Sequence, residues 1–214
     1  MGQVTPLRSR RRKAKPVFYL LAGPNGAGKS TLYKALMRAG TLPVSAEFVN
    51  ADLYEAAHLQ HMANPQARSE DARQWADARR AQLLKAGQSF VSETVFSHES
   101  KLVLIEEAQK QGFFVMLIVV CLDDPERLLE RVAGRVTEGG HAVPAERILA
   151  RYPRTLAHLA VAVRLADLAI LYDSQDVKPG THTAVAVCTR GWTQENVNPL
   201  PQWAQKVLGG AGIG

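Results

Sequence analysis

Apolar runs separated by glycine, proline and polar stretches divide this chain into short strands and longer helices in alternation. Val17-Phe18-Tyr19-Leu20-Leu21 is a β-prone run ending at Gly23-Pro24-Asn25-Gly26. From Lys29 to Arg38 the residues Leu32, Ala35 and Leu36 recur on one helical face, and Gly40 stops the pattern. A second strand is predicted over 47–50, with helical sequence from Asp52, and a long polar helix over 69–86 ending at Gly87. A third strand falls at 89–93, and a helix over 99–110 is stopped by Gly112. The run 114–122 is continuously apolar and rich in Val and Ile, as for a strand buried on both faces. Asp124-Pro125 opens a helix to Arg135 with proline in its first turn, Gly139-Gly140 breaks the chain, and Pro144 begins a helix to about Leu165. Strands at 168–172 and 183–189 complete the pattern. Such alternation predicts an α/β fold in three layers: a mostly parallel central sheet of five or six strands with helices on both faces. The expected division is a basic arm over 1–16, one domain over 17–208 and a glycine-rich tail over 209–214.

Composition narrows the class without changing that picture. A chain of 214 residues, 46% hydrophobic and 21% charged, is an ordinary globular composition, which excludes collagen-like, coiled-coil and wholly disordered chains. Its longest apolar run, 113–122, is half the roughly 20 residues that a membrane helix needs. The basic residues 8–15 precede an apolar stretch too short for a secretory signal. The net charge of +6 belongs to the arm: Arg8, Arg10, Arg11, Arg12, Lys13 and Lys15 stand there without an acid, and the rest of the chain is neutral. Nucleic acid is therefore not expected as a partner except through the arm. Cys121 and Cys188 both lie in apolar stretches and read as buried reduced thiols, so the expected compartment is the cytoplasm.

The strongest chemical signal is Gly23-Pro24-Asn25-Gly26-Ala27-Gly28-Lys29-Ser30, followed by Thr31. It matches G-x-x-x-x-G-K-[ST] at every fixed position, after a strand and at the start of a helix. Glycines let backbone N–H groups turn inward onto phosphates, and the helix N-terminus adds partial positive charge. In such a loop Lys29 reaches the β- and γ-phosphates of ATP and the Ser30 hydroxyl ligates Mg²⁺. The run Cys121-Leu122-Asp123-Asp124-Pro125 superficially resembles the metal-holding strand of a motor ATPase, but Asp124 reads better as a helix cap before Pro125. With no guanine-reading Asn-Lys-x-Asp run either, phosphoryl transfer to an acceptor molecule remains.

Ligands of parallel sheets bind beyond the carboxyl ends of the strands. Two carboxylates fall there. Asp52, after Asn50, is the candidate base for an acceptor hydroxyl, and Glu93 with Thr94 the candidate acceptor contact, Asn50 being weaker. The structural alternatives are a helix cap for Asp52 and an ion pair for Glu93. Arg127, Arg131 and Arg135 line one helical face, and His141, Arg147, Arg151 and Arg154 follow the glycine break. Arg131, Arg135, Arg151 and His141 are candidates for clamping phosphate in a closing lid, whereas Arg127 and Arg147 fit a solvated face.

In order along the chain, the phosphate loop, Phe48-Val49-Asn50-Ala51-Asp52, Phe90-Val91-Ser92-Glu93-Thr94, Arg131-Val132-Ala133-Gly134-Arg135-Val136, Gly139-Gly140-His141-Ala142-Val143-Pro144 and Arg151-Tyr152 make a specific set. This set resembles the zeta-toxin family of P-loop kinases, whose compact form is also labelled predicted ABC-type ATPase. The resemblance implies an ATP-dependent kinase acting on a hydroxyl of UDP-N-acetylglucosamine, which blocks cell-wall synthesis, and a cognate antitoxin partner. It implies Lys29 and Ser30 on phosphates and metal, Asp52 as base, Glu93 and Thr94 on the sugar nucleotide, and Arg135 as a phosphate clamp. The alternatives are a kinase of another small-molecule or polynucleotide hydroxyl, and a nucleic-acid-associated ATPase using the basic arm.

Overall fold

Residues 14–137, 144–175 and 182–209 are described by a computed structural model. Five parallel strands form the centre of the sheet: β1 (Val17–Ala22), β2 (Glu47–Val49), β3 (Phe90–Thr94), β4 (Phe114–Cys121) and β5 (Leu168–Asp173). Two antiparallel strands, β6 (Thr183–Thr189) and β7 (Trp192–Glu195), extend it, giving the order β2-β3-β1-β4-β5-β6-β7. The strand β4 is continuously apolar because it lies between β1 and β5 with helices over both faces.

Alternation along each strand sends its residues to opposite layers. Phe18, Leu20, Phe90, Leu117 and Val119 pack with α3 (Pro65–Ala86), α4 (Ser100–Lys110), α6 (Ala145–Leu165) and α7 (Gln202–Gly209). Leu21, Val91, Ile118 and Val120 point the other way, onto Leu32 and Leu36 of α1 (Lys29–Arg38) and Leu128 and Val132 of α5 (Pro125–Thr137). Each large apolar side chain buried this way contributes roughly 1.5–3 kcal/mol. The short helix α2 (Ala51–His58) stands off the sheet against α3, with Tyr54 stacked on Trp75 at 3.9 Å. No described helix is long and apolar enough to cross a membrane.

The three-layer, mostly parallel architecture is the expected one, with three differences. The sheet has seven strands rather than five or six. All four residues of β7 are exposed, so no apolar alternation marks it. The helix α7 also escapes a local reading, because its cap comes from a distant residue: Asp123 accepts from the N–H groups of Gln202 at 3.0 Å and Trp203 at 2.6 Å. Finally, α3 begins at Pro65 instead of Ser69, because the Asn64 side chain accepts from Gln66 N and Ala67 N and sets the start one turn earlier. The arm up to residue 13, the Gly139-Gly140 break and the tail beyond 209 lie outside the described residues.

Candidate active site

The loop 23–28 leaves β1 and turns into α1. A Cβ on Gly23 would lie 2.0 Å from the Val120 carbonyl oxygen of β4, so only glycine lets the chain turn there. Gly28 caps α1 in the left-handed region, and no side chain satisfies the first-turn amides. Those uncapped N–H groups and the positive end of the helix dipole face whatever the loop encloses. The buried Lys29 ammonium donates to Gly23 O at 3.0 Å and Pro24 O at 2.9 Å. The Asn25 amide oxygen is sealed from solvent and has no donor among the described residues.

Beside this loop the carboxylate of Glu93 gathers the site. The strand β3 lies next to β1 with Glu93 opposite Leu21, which brings Glu93 to the mouth of the loop. Its Oε2 accepts from the Ser30 hydroxyl at 3.0 Å and from Asn50 Nδ2 at 3.0 Å, and Oε1 lies 3.8 Å from Lys29 Nζ. Asn50 also caps α2, accepting from Leu53 N at 3.1 Å. One network therefore joins the loop, the tip of β3 and the start of α2. From the opposite face the buried Arg80 donates to Ser92 Oγ, which donates to Val49 O and ties the tips of β2 and β3 together.

Asn50 takes the cap that the sequence offered to Asp52. That leaves Asp52 in the first turn of α2, exposed and without a hydrogen bond or ion pair to any described residue. Thr94 follows Glu93 at the end of β3, half-buried, and the buried Phe96 beyond it takes a left-handed φ of 63° that turns the chain away.

On the other side of β1 the arginines of α5 hold the end of β5. Arg131 donates to Ser174 O at 2.7 Å and Ser174 Oγ at 3.3 Å; burial and then the neighbouring Arg127 lower its pKa. Arg127 donates to Gln175 O at 2.6 Å instead of pairing with the glutamates of its own helix. The aspartates here serve structure: Asp124 accepts from Glu126 N as expected, Asp123 caps α7, and Asp173 accepts from the Trp203 indole at 2.7 Å.

Arg151, half-buried on α6, has no hydrogen-bond or carboxylate partner among the described residues. Its pKa is lowered by burial and then by Arg147 and Arg154. The adjacent Tyr152 donates to Leu122 O at 2.7 Å, so this part of α6 lies at the carboxyl edge of the sheet. Arg135 lies on α5 and its side chain falls outside what the structure describes, as does His141 altogether. His182, just before β6, is a residue the sequence reading did not single out. Its Nε2 lies 3.0 Å from where a Cβ on Gly28 would stand.

The zeta toxin family profile matches residues 4–178. The chain belongs to the zeta toxin family. An uncharacterised protein of Haemophilus influenzae is 27% identical over 138 residues, covering 64% of this chain and 92% of that protein. Among solved structures, the PezAT chromosomal toxin–antitoxin system of Streptococcus pneumoniae has a TM-score of 0.58 at 15% identity, over 82% of this chain and 73% of that one. The AvrRxo1-ORF1:AvrRxo1-ORF2 complex has a TM-score of 0.63 at 18% identity, over 85% of this chain. This zeta-family chain spans 61% of the AvrRxo1 chain it matches. At these identities the likeness is one of fold, and with the family it makes this a P-loop kinase.

Proposed function

We propose that this chain uses ATP to phosphorylate a hydroxyl of UDP-N-acetylglucosamine, the reaction the zeta-toxin resemblance implies, and that an antitoxin protein restrains it. The observation that carries this reading is the Glu93 carboxylate, shared between Ser30 of the phosphate loop and Asn50 at the start of α2. It makes the donor cradle and the acceptor-side residues one unit, which is what transfer between two bound molecules requires. The AvrRxo1 pair has been solved with ATP, and PezAT is a toxin–antitoxin system; these support the donor and the partner.

In this reading backbone N–H groups of 25–29 and the Lys29 ammonium hold the β- and γ-phosphates. Asp52 takes the proton of the acceptor hydroxyl as that oxygen bonds to the γ-phosphorus. The bond from the γ-phosphorus to its bridging oxygen breaks, and ADP leaves. Asp52 suits the base better than Glu93, because Glu93 is already engaged by two donors and a cation while no described residue engages Asp52. Ser30 Oγ beside a carboxylate is a hard-oxygen pair that fits Mg²⁺, with Ser30 as ligand and Glu93 at its side. Bound there, Mg²⁺ would neutralise charge on the β- and γ-phosphates. Thr94 and Asn50 border the acceptor, and Arg151 with Arg131, Arg135 and His141 supplies the cationic and polar side of the phosphates.

Incubation with ATP, Mg²⁺ and a panel of sugar nucleotides and other alcohols, read by mass, tests the proposal. The expected result is one phosphoryl group added to UDP-N-acetylglucosamine, lost by about 10³-fold in Lys29→Ala. Transfer to a different alcohol alone would remove this acceptor and leave the kinase. ATP left intact with every acceptor would remove both.

A further inference from the structure

The loop lies between two unlike neighbourhoods. Ser30, Glu93 and Asn50 crowd its β2–β3 side, so the transferable end of a triphosphate belongs there. The rest of the nucleotide must then leave across the loop towards β4, β5 and β6. On that side the chain is fixed where it leaves β5: Ser174 N and Oγ donate to Cys121 O of β4, and Arg131 and Arg127 hold Ser174 and Gln175 from α5. The chain returns at Thr183, which pairs with Asp173, and His182 immediately precedes it. The half-buried imidazole stands against the α-carbon of Gly28, so close that a Cβ there would meet Nε2 at 3.0 Å.

We infer that His182 forms the wall of a nucleoside site, its imidazole packing against the aromatic base of the bound triphosphate. The inference rests on the reading of this loop as an ATP cradle and deepens it. A flat, partly apolar ring bordering the last glycine before Lys29 offers a base a stacking surface. His182 is thus a specificity-determining residue: it makes the site prefer nucleotides to bare polyphosphate. Stacking on such a ring is worth about tenfold or more in affinity.

The test measures binding of ATP and of inorganic tripolyphosphate, each with Mg²⁺, to the full chain and to His182→Ala and His182→Phe. His182→Ala should bind ATP about tenfold more weakly and tripolyphosphate within about twofold of the parent, while His182→Phe keeps its hold on ATP. Melting of the unliganded variants checks that the fold is kept. Equal loss of both ligands, or unchanged ATP affinity in His182→Ala, overturns the inference. Parent protein that binds tripolyphosphate as tightly as ATP has no base site, and the inference fails while the phosphate cradle stands. Parent protein that binds neither ligand removes the kinase reading as well.

Discussion

Acidic residues stand at or just beyond strand ends on both sides of β1, and they do different work. On the β2–β3 side Glu93 takes donors from Ser30 and Asn50, and Asp52 is left exposed and unengaged by any described residue. On the β4–β5 side Asp123 caps α7 and Asp173 holds the Trp203 indole N–H. What separates them is the need of the neighbouring element. The first turn of α7 needs acceptors, and Asp123 supplies them. The first turn of α1 has no acidic residue and no side-chain cap, which keeps an anion-binding position open. A carboxylate at a strand end is therefore a functional candidate only when no helix claims it.

The largest expected effect tests the functional side. Asp52→Asn removes the proposed proton acceptor but no hydrogen bond to a described residue, so kcat should fall by about 10²–10⁴ while ATP affinity and melting temperature stay put. Glu93→Gln should behave differently, because an amide oxygen that still accepts from Ser30 and Asn50 turns its NH2 group towards the Lys29 ammonium and loses the charge beside it. It should alter ATP binding, metal dependence and stability together. If Asp52→Asn keeps kcat within a few-fold while Glu93→Gln loses it with ATP binding intact, Glu93 is the base and the roles are reversed.

The same contrast explains what the sequence could show. The phosphate loop, β1, β4 and the carboxylates just after β2 and at the end of β3 were legible because their signals are local: fixed glycine spacing, a continuous apolar run, an acid near a strand end. The strand β7 and α7 were not, since one exposes all its residues and the other borrows its cap from Asp123. Nor did the spacing of Arg127 and Arg131 reveal that both hold the end of β5, as their partners are backbone carbonyls far along the chain. His182 gave no signal: a single histidine before a strand acquires meaning only when folding sets it beside Gly28.

A moderate effect is expected on the structural side. Asp123→Ala leaves the N–H groups of Gln202 and Trp203 without their acceptor, a loss of about 0.5–2 kcal/mol. For a domain of this size that lowers the melting temperature by about 1–8 °C. Turnover well below the melting point should be unchanged. Lost turnover with unchanged melting would instead move Asp123 to the functional set and erase the distinction between the two sides.

The smallest effect concerns Cys121, at the end of β4 two residues before Asp123. Burial pushes its thiol from the ordinary 9.0 up to about 12, and burial also raises Cys188. A thiol reagent at pH 8 therefore meets almost no thiolate in the folded protein and should label neither cysteine until denaturant is added. The linkage has a definite sign. Since folding disfavours the charged form, the contribution of Cys121 is full below about pH 9 and declines as pH rises towards about 12. Tyr152, raised by burial beside it, acts in the same direction. Labelling of native Cys121 at the denatured rate would mean that the end of β4 opens freely, and then the packing that ties Asp123 to α7 is not the closed structural counterpart of the Glu93 site.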